Sequence, residues 1–189
     1  FNIYDKNDSK RLIKKCISLL DIDSSQYKVK TISNIIDNSK NRLIDERTFS
    51  ENAIGFYNKT VGKIYGKYQE ELKNNQSLDY GDLILKTVQL LQKYPEILKY
   101  YQDKFKHILV DEYQDIHHAQ YILIKLLSQQ RKNLFVVGDP DQSIYRFRGA
   151  TTQNILEFPS RVGKPGLEPI NLGTNYRSSQ QIIDLYQSY

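Results

Sequence analysis

Two adjacent acids, Asp111 and Glu112, end the apolar run Ile108-Leu109-Val110. Such a run, following Phe105, reads as a short strand buried on both faces. In an open parallel sheet, ligands gather at the carboxyl ends of strands. An Asp there can hold Mg²⁺, which bridges phosphates and usually keeps several waters. A neighbouring Glu can orient or deprotonate a water for attack on a terminal phosphate. A solvated strand end also carries acids, so the pair alone does not decide between chemistry and surface.

The elements around the pair narrow the choice. Leu134-Phe135-Val136-Val137 is a second strand-like run, and it ends at Gly138-Asp139-Pro140-Asp141-Gln142-Ser143. Gly and Pro mark that segment as a turn. Between the two runs, Ile122, Leu123, Leu126 and Leu127 have the spacing of an amphipathic helix over 119–130. Strand, helix and parallel strand form a crossover unit. It would set Asp111, Glu112 and Gln142 along one sheet edge, a natural nucleotide site.

Val110-Asp111-Glu112-Tyr113-Gln114-Asp115, with Gly138-Asp139-Pro140-Asp141-Gln142-Ser143-Ile144-Tyr145-Arg146-Phe147-Arg148-Gly149-Ala150, resembles motifs II and III of the UvrD/Rep/PcrA-type superfamily 1 DNA helicases. Asn175-Tyr176-Arg177-Ser178 resembles their motif IV. The likeness extends from Phe1 to Tyr189. It implies an α/β fold: a RecA-like parallel sheet with helices, part of a P-loop NTPase domain, plus an inserted all-helical subdomain. Residues 1–4 would begin in the RecA-like domain. Residues 5–104 would form the inserted, 1B-like subdomain. Residues 105–189 would be the distal part of the first, 1A-like RecA domain.

The resemblance also implies roles. Asp111 would support Mg²⁺ and Glu112 would be the catalytic base. Gln142 would sense the γ-phosphate of ATP and report it to the DNA site. Arg177 would neutralise charge developing on that phosphate; by itself it could equally be an ordinary arginine near a helix start. Gln114 and Asp115 read as supporting residues and Tyr113 as packing. Tyr145 and Phe147 would stack on bases of single-stranded DNA, with Arg148 beside them. Core filling beside Ile144 is the alternative, though alternation with Arg146 and Arg148 suits a buried segment poorly.

The implied activity is ATP-dependent translocation on single-stranded DNA, 3′ to 5′, with unwinding at duplex junctions in DNA repair or replication. The helicase part of a helicase–nuclease fits the same motifs. So does a DNA-binding module that kept the fold without hydrolysis. The sequence departs from the family at three places. Ile116-His117 stands where Thr-Asn is common, Phe147 where many members have Trp, and Gly81 where an acid is usual. Adjacent His117 and His118 would point to different faces of a helix, which argues against a metal pair.

Upstream, Leu12, Ile13, Cys16, Ile17 and Leu20 predict a helix over 10–20 capped at Asp8 or Ser9. A second helix is expected over 28–39 and a long one over 48–74. Lys59, Lys63 and Lys67 line one face of the long helix, either a solvated face or a phosphate contact. Asp79 should cap a helix over 83–93, and Pro95 should start another ending near Lys104. Downstream, Thr151 or Thr152 should cap a short helix and 160–166 should be a loop. Residues 168–172 should form a third strand, followed by a helix capped at Ser178 or Ser179.

Composition sets outer bounds. The 189 residues carry a net charge of +5, which permits a nucleic-acid partner without requiring one. Fifteen Tyr and seven Phe accompany no Trp, so much of the core should be aromatic. A single Cys16 can form no internal disulfide, which suggests a reducing, cytoplasmic compartment. No run reaches transmembrane length. The chain holds no Met and no Gly-x-x-x-x-Gly-Lys-Ser/Thr loop, so it reads as an internal fragment unable to turn over ATP by itself.

Overall fold

The computed structural model describes residues 1–142, 155, 157, 158 and 168–188. Two compact units are present, Phe1–Leu156 and Glu157–Tyr189. The first opens with strand β1 (Asn2–Tyr4) and helices α1 (Lys6–Leu19), α2 (Val29–Asn41), α3 (Glu46–Glu51) and α4 (Gly55–Asn74). Strand β2 (Ser77–Asp79) pairs in parallel with β1, and α5 (Tyr80–Lys93) and α6 (Pro95–Lys104) follow. Then come β3 (Ile108–Val110), α7 (His118–Ser128) and β4 (Leu134–Val136). The second unit contains α8 (Gln180–Gln187).

One core joins α1, α2 and α4: Leu12, Ile13, Cys16 and Ile17 meet Ile32 and Ile36, then Val61, Ile64, Tyr65, Tyr68 and Leu72. These are the 3–4-spaced positions of each helix, so burial follows the sequence stripe. Burial pushes the Cys16 thiol up to about 11, so it packs as a small apolar residue.

Several boundaries differ from the sequence expectation. Helix α1 starts earlier, because Asp5 and Asp8 form a reciprocal capping box; Asp8 is inside the helix. The expected long helix over 48–74 is two helices. The Asn52 amide donates to the Thr48 carbonyl (2.8 Å), ending α3, and α4 restarts at Gly55, φ +81°. Asp79 does cap α5, accepting from the Asp82 N–H (2.8 Å), with helix beginning at Tyr80. No strand forms at 168–172, where Ile170 and Leu172 are exposed and no ladder partner is described. Ser179 is the N-cap position of α8 but makes no side-chain cap bond. Of the short helix expected after Thr151 or Thr152, only residues 155, 157 and 158 are described, with Ile155 and Phe158 helical; its cap and the loop over 160–166 lie outside the described residues.

Strands β3 and β4 are parallel, in the register Ile108↔Leu134, Leu109↔Phe135 and Val110↔Val136. The expectation of a strand buried on both faces fails: Leu109 is 72% exposed and Phe135 is 58% exposed. A strand alternates its side chains, and α7 follows β3 in a two-stranded sheet too small to cover both faces. Helix α7 itself is anchored to α5, α6 and α2. One tie is the Gln102 amide, which donates to the Leu126 carbonyl (2.7 Å). No described helix is long and apolar enough to cross a membrane.

Candidate active site

The site is built where β3 and β4 end. The ladder runs on past both strands: the Val137 N–H donates to the Val110 carbonyl and the Tyr113 N–H to the Val137 carbonyl (2.9 Å each). This pins the turn after β3 against the turn after β4. Between them the chain reverses sharply. Glu112 sits in the left-handed region (φ +51°, ψ +44°), which costs a non-glycine residue about 1–2 kcal/mol. Residues Tyr113–Asp115 then form one turn of 3₁₀ helix, with the Asp115 N–H donating to the Glu112 carbonyl (2.9 Å).

Asp111 and Glu112 are exposed at this strand end. One Asp111 oxygen accepts the N–H of Glu112 (2.9 Å); the other has no hydrogen-bond partner among the described residues. A lone exposed carboxylate oxygen beside a second acid fits Mg²⁺ held through water with substrate phosphates, and does not fit a closed protein cage. Among the described residues, no group of three or more His, Cys, Asp or Glu could hold a metal ion.

The structure links Glu112 to Gln142 through two residues. The Gln114 amide donates to Glu112 Oε2 (2.7 Å), and its Oε1 accepts the Asp139 N–H (3.0 Å). Asp139 in turn accepts from the Gln142 side-chain amide (2.6 Å), and its backbone carbonyl accepts the Gln142 N–H (3.1 Å). Gln114 is 1% exposed. Gly138 is needed for this closeness: a Cβ there would lie 2.6 Å from Gln114 Oε1 and 3.2 Å from the Tyr113 nitrogen. The linking role of Gln114 and Asp139 depends on strand register, which the sequence does not display.

Arg177 belongs to the second unit and is exposed. Asn175 Oδ1 accepts the N–H groups of Arg177 (2.9 Å) and Ser178 (3.0 Å), a local turn that leads into α8. Tyr145, Phe147 and Arg148 lie outside the described residues. His117 is the N-cap of α7: its Nδ1 accepts the Gln120 N–H (3.4 Å), and Gln120 Oε1 accepts the His117 N–H (3.0 Å). Burial holds the His117 imidazole below its ordinary value, favouring the neutral form that can accept this bond. On α4, Lys67 pairs with Glu70 (3.1 Å) and Glu71 (3.3 Å). Lys59 and Lys63 are exposed and have no ion-pair partner among the described residues.

Residues 1–163 match the family described as UvrD/REP helicase N-terminal domain. The chain is 44% identical over 184 residues to the ATP-dependent DNA helicase PcrA of Leuconostoc citreum. It is 43% identical over 183 residues to the ATP-dependent DNA helicase PcrA of Bacillus subtilis. The Staphylococcus aureus protein of that name is also 43% identical, over 184 residues. Each alignment covers 97% of this chain but only 24–25% of the relative, so the chain spans about a quarter of their length.

Proposed function

Because the chain belongs to the UvrD/REP helicase family, we propose that it is part of an ATP-dependent DNA helicase that moves 3′ to 5′ along single-stranded DNA. Unwinding at duplex junctions, in repair or replication, would be the outcome. The observation that carries this reading is the exposed Asp111–Glu112 pair at the end of β3, hydrogen-bonded through Gln114 to the turn that holds Gln142. In this reading β3, α7 and β4 belong to a RecA-like domain whose distal part is 105–189. Residues 5–104 are the inserted helical subdomain.

Asp111 would hold Mg²⁺ through its free oxygen. The ion, when bound with nucleotide, neutralises charge on the phosphate oxygens. Glu112, exposed and oriented by the Gln114 amide, accepts a proton from the attacking water. Gln142 contacts the terminal phosphate. Tyr145, Phe147 and Arg148, which come shortly after Gln142 in the sequence, contact unpaired DNA. A change at the phosphate could thus alter the grip on DNA across a few residues of chain.

The chain contains no Gly-x-x-x-x-Gly-Lys-Ser/Thr loop, and backbone amides of that loop carry much of the phosphate binding. The chain alone is therefore expected to show no DNA-stimulated ATP turnover above a Glu112→Ala control, whereas the full-length protein should turn over ATP and unwind a tailed duplex. Turnover by the chain alone would contradict the assignment of phosphate binding outside it. A full-length protein that binds single strands without hydrolysis would favour the DNA-binding module instead.

Phe147 supplies a second test. In the full-length protein, Phe147→Ala should weaken single-strand binding by about 1–3 kcal/mol at fixed salt, the range for one stacked base. Phe147→Trp should hold or improve it. Fluorescence anisotropy with a labelled oligonucleotide reads both. A lowered melting temperature with unchanged affinity would make Phe147 a core residue.

A further inference from the structure

We infer that Gln114 is a positioning residue that clamps the base, Glu112, and the turn 138–142 into one unit, so that neither moves independently during turnover. The inference rests on the proposed ATPase reading and goes beyond it by assigning a residue that touches neither phosphate nor DNA. The geometry is specific. Gln114 is nearly fully buried, yet both ends of its amide are engaged, one on the Glu112 carboxylate (2.7 Å) and one on the Asp139 N–H (3.0 Å).

A buried amide with both ends satisfied has one allowed orientation, because flipping it would set its oxygen against the Glu112 carboxylate and its NH₂ against the Asp139 N–H. Its closeness to the turn is enforced by Gly138, whose missing Cβ leaves room for Oε1. Asp139 then passes the constraint on through its bond to the Gln142 side chain (2.6 Å). The left-handed backbone at Glu112 shows why such a clamp is useful. That conformation is disfavoured locally and must be held by surrounding contacts. Tyr113, held to Val137 through its backbone, fixes the main chain, and Gln114 fixes the carboxylate.

The test uses the full-length protein. Gln114→Met keeps length and bulk but removes both polar ends. It should lower DNA-stimulated kcat by at least about tenfold, since small misplacement of a catalytic group is costly. Nucleotide affinity, read with a fluorescent ATP analogue, should change less than about twofold, because Gln114 touches no phosphate in this proposal. Gln114→Glu keeps the acceptor for Asp139 but loses the donor to Glu112, and it should also lower kcat. If Gln114→Met melts much earlier than the parent, Gln114→Glu carries the test.

A double-substitution cycle with Gln142→Ala separates clamping from general destabilisation. Residues acting as one unit are non-additive, so the pair should lose little more than the worse single variant. Folded Gln114 variants with near-parental kcat would overturn the inference, and so would strictly multiplicative losses in the cycle. Glu112→Gln, measured alongside, keeps the two ideas apart. If it abolishes turnover while the Gln114 variants do not, only the clamp fails. If it leaves turnover intact, the ATPase reading itself fails.

Discussion

Replacing Glu112 by Gln in the full-length protein is expected to lower ATP turnover by roughly 10²–10⁴-fold, the usual scale for loss of a general base. The substitution keeps the side chain's length and a carbonyl oxygen that can still accept from the Gln114 amide, a bond of 2.7 Å in the parent. The local fold should therefore survive, including the left-handed turn at Glu112. What disappears is the oxygen able to take a proton. Nucleotide affinity should stay near the parent value, because binding in this reading belongs to other groups. A stopped assay of phosphate release, paired with a nucleotide-binding titration, distinguishes these quantities. Near-parental turnover would remove Glu112 from the chemistry and leave the exposed pair as a solvated strand end.

Much of the frame around that pair was legible from spacing alone. The strands at Ile108–Val110 and Leu134–Val136 and the helix between them follow from short apolar runs separated by a 3.6-residue stripe. Pro95 marked the start of α6, and Asp79 marked the start of α5. The misplaced start of α1 and the missed break before α4 have one cause. Both are decided by side chain to backbone bonds, at Asp5 and Asn52, that compete with an apolar stripe running through them. The one-sided exposure of β3 was hidden because a run of three apolar residues does not say how many neighbours its strand will have.

Lys40 was invisible for a different reason. Lysine is almost never fully buried without a partner, and its partners lie far away in sequence. In the structure Lys40 is 1% exposed. Its Nζ reaches Asp79 Oδ2 (2.6 Å), Asp82 Oδ1 (3.1 Å) and Gln69 Oε1 (2.8 Å). The one hint was Gly81, standing where the resembled family usually has an acid. A Cβ at that position would lie 2.8 Å from Lys40 Cδ, so the glycine makes room for the lysine stem. The departure from the family pattern is thus explained by packing.

Lys40→Met is accordingly expected to destabilise the chain by about 3–5 kcal/mol, the cost of removing one partner from a buried charge network. Methionine fills a similar volume, so the loss is electrostatic rather than a cavity. The two carboxylates cannot easily find substitutes. Asp79 keeps the Tyr68 hydroxyl (2.9 Å) and the Asp82 N–H (2.8 Å), while Asp82 keeps the Gln69 amide (3.1 Å). The nearest remaining cation, Lys86, is 3.8 Å from Asp82 Oδ1 and partly exposed. Asp82 Oδ2 already lacks a hydrogen-bond partner among the described residues. At about 2–4 °C per kcal/mol for a chain of this size, the melting temperature should fall by roughly 6–20 °C in far-UV circular dichroism. Adding Asp79→Asn and Asp82→Asn to Lys40→Met should recover part of the loss, since Asn still caps α5 and neither amide carries charge. A Lys40→Met chain melting within about 2 °C of the parent would mean the acids are compensated by solvent, and the network would not be a stability element.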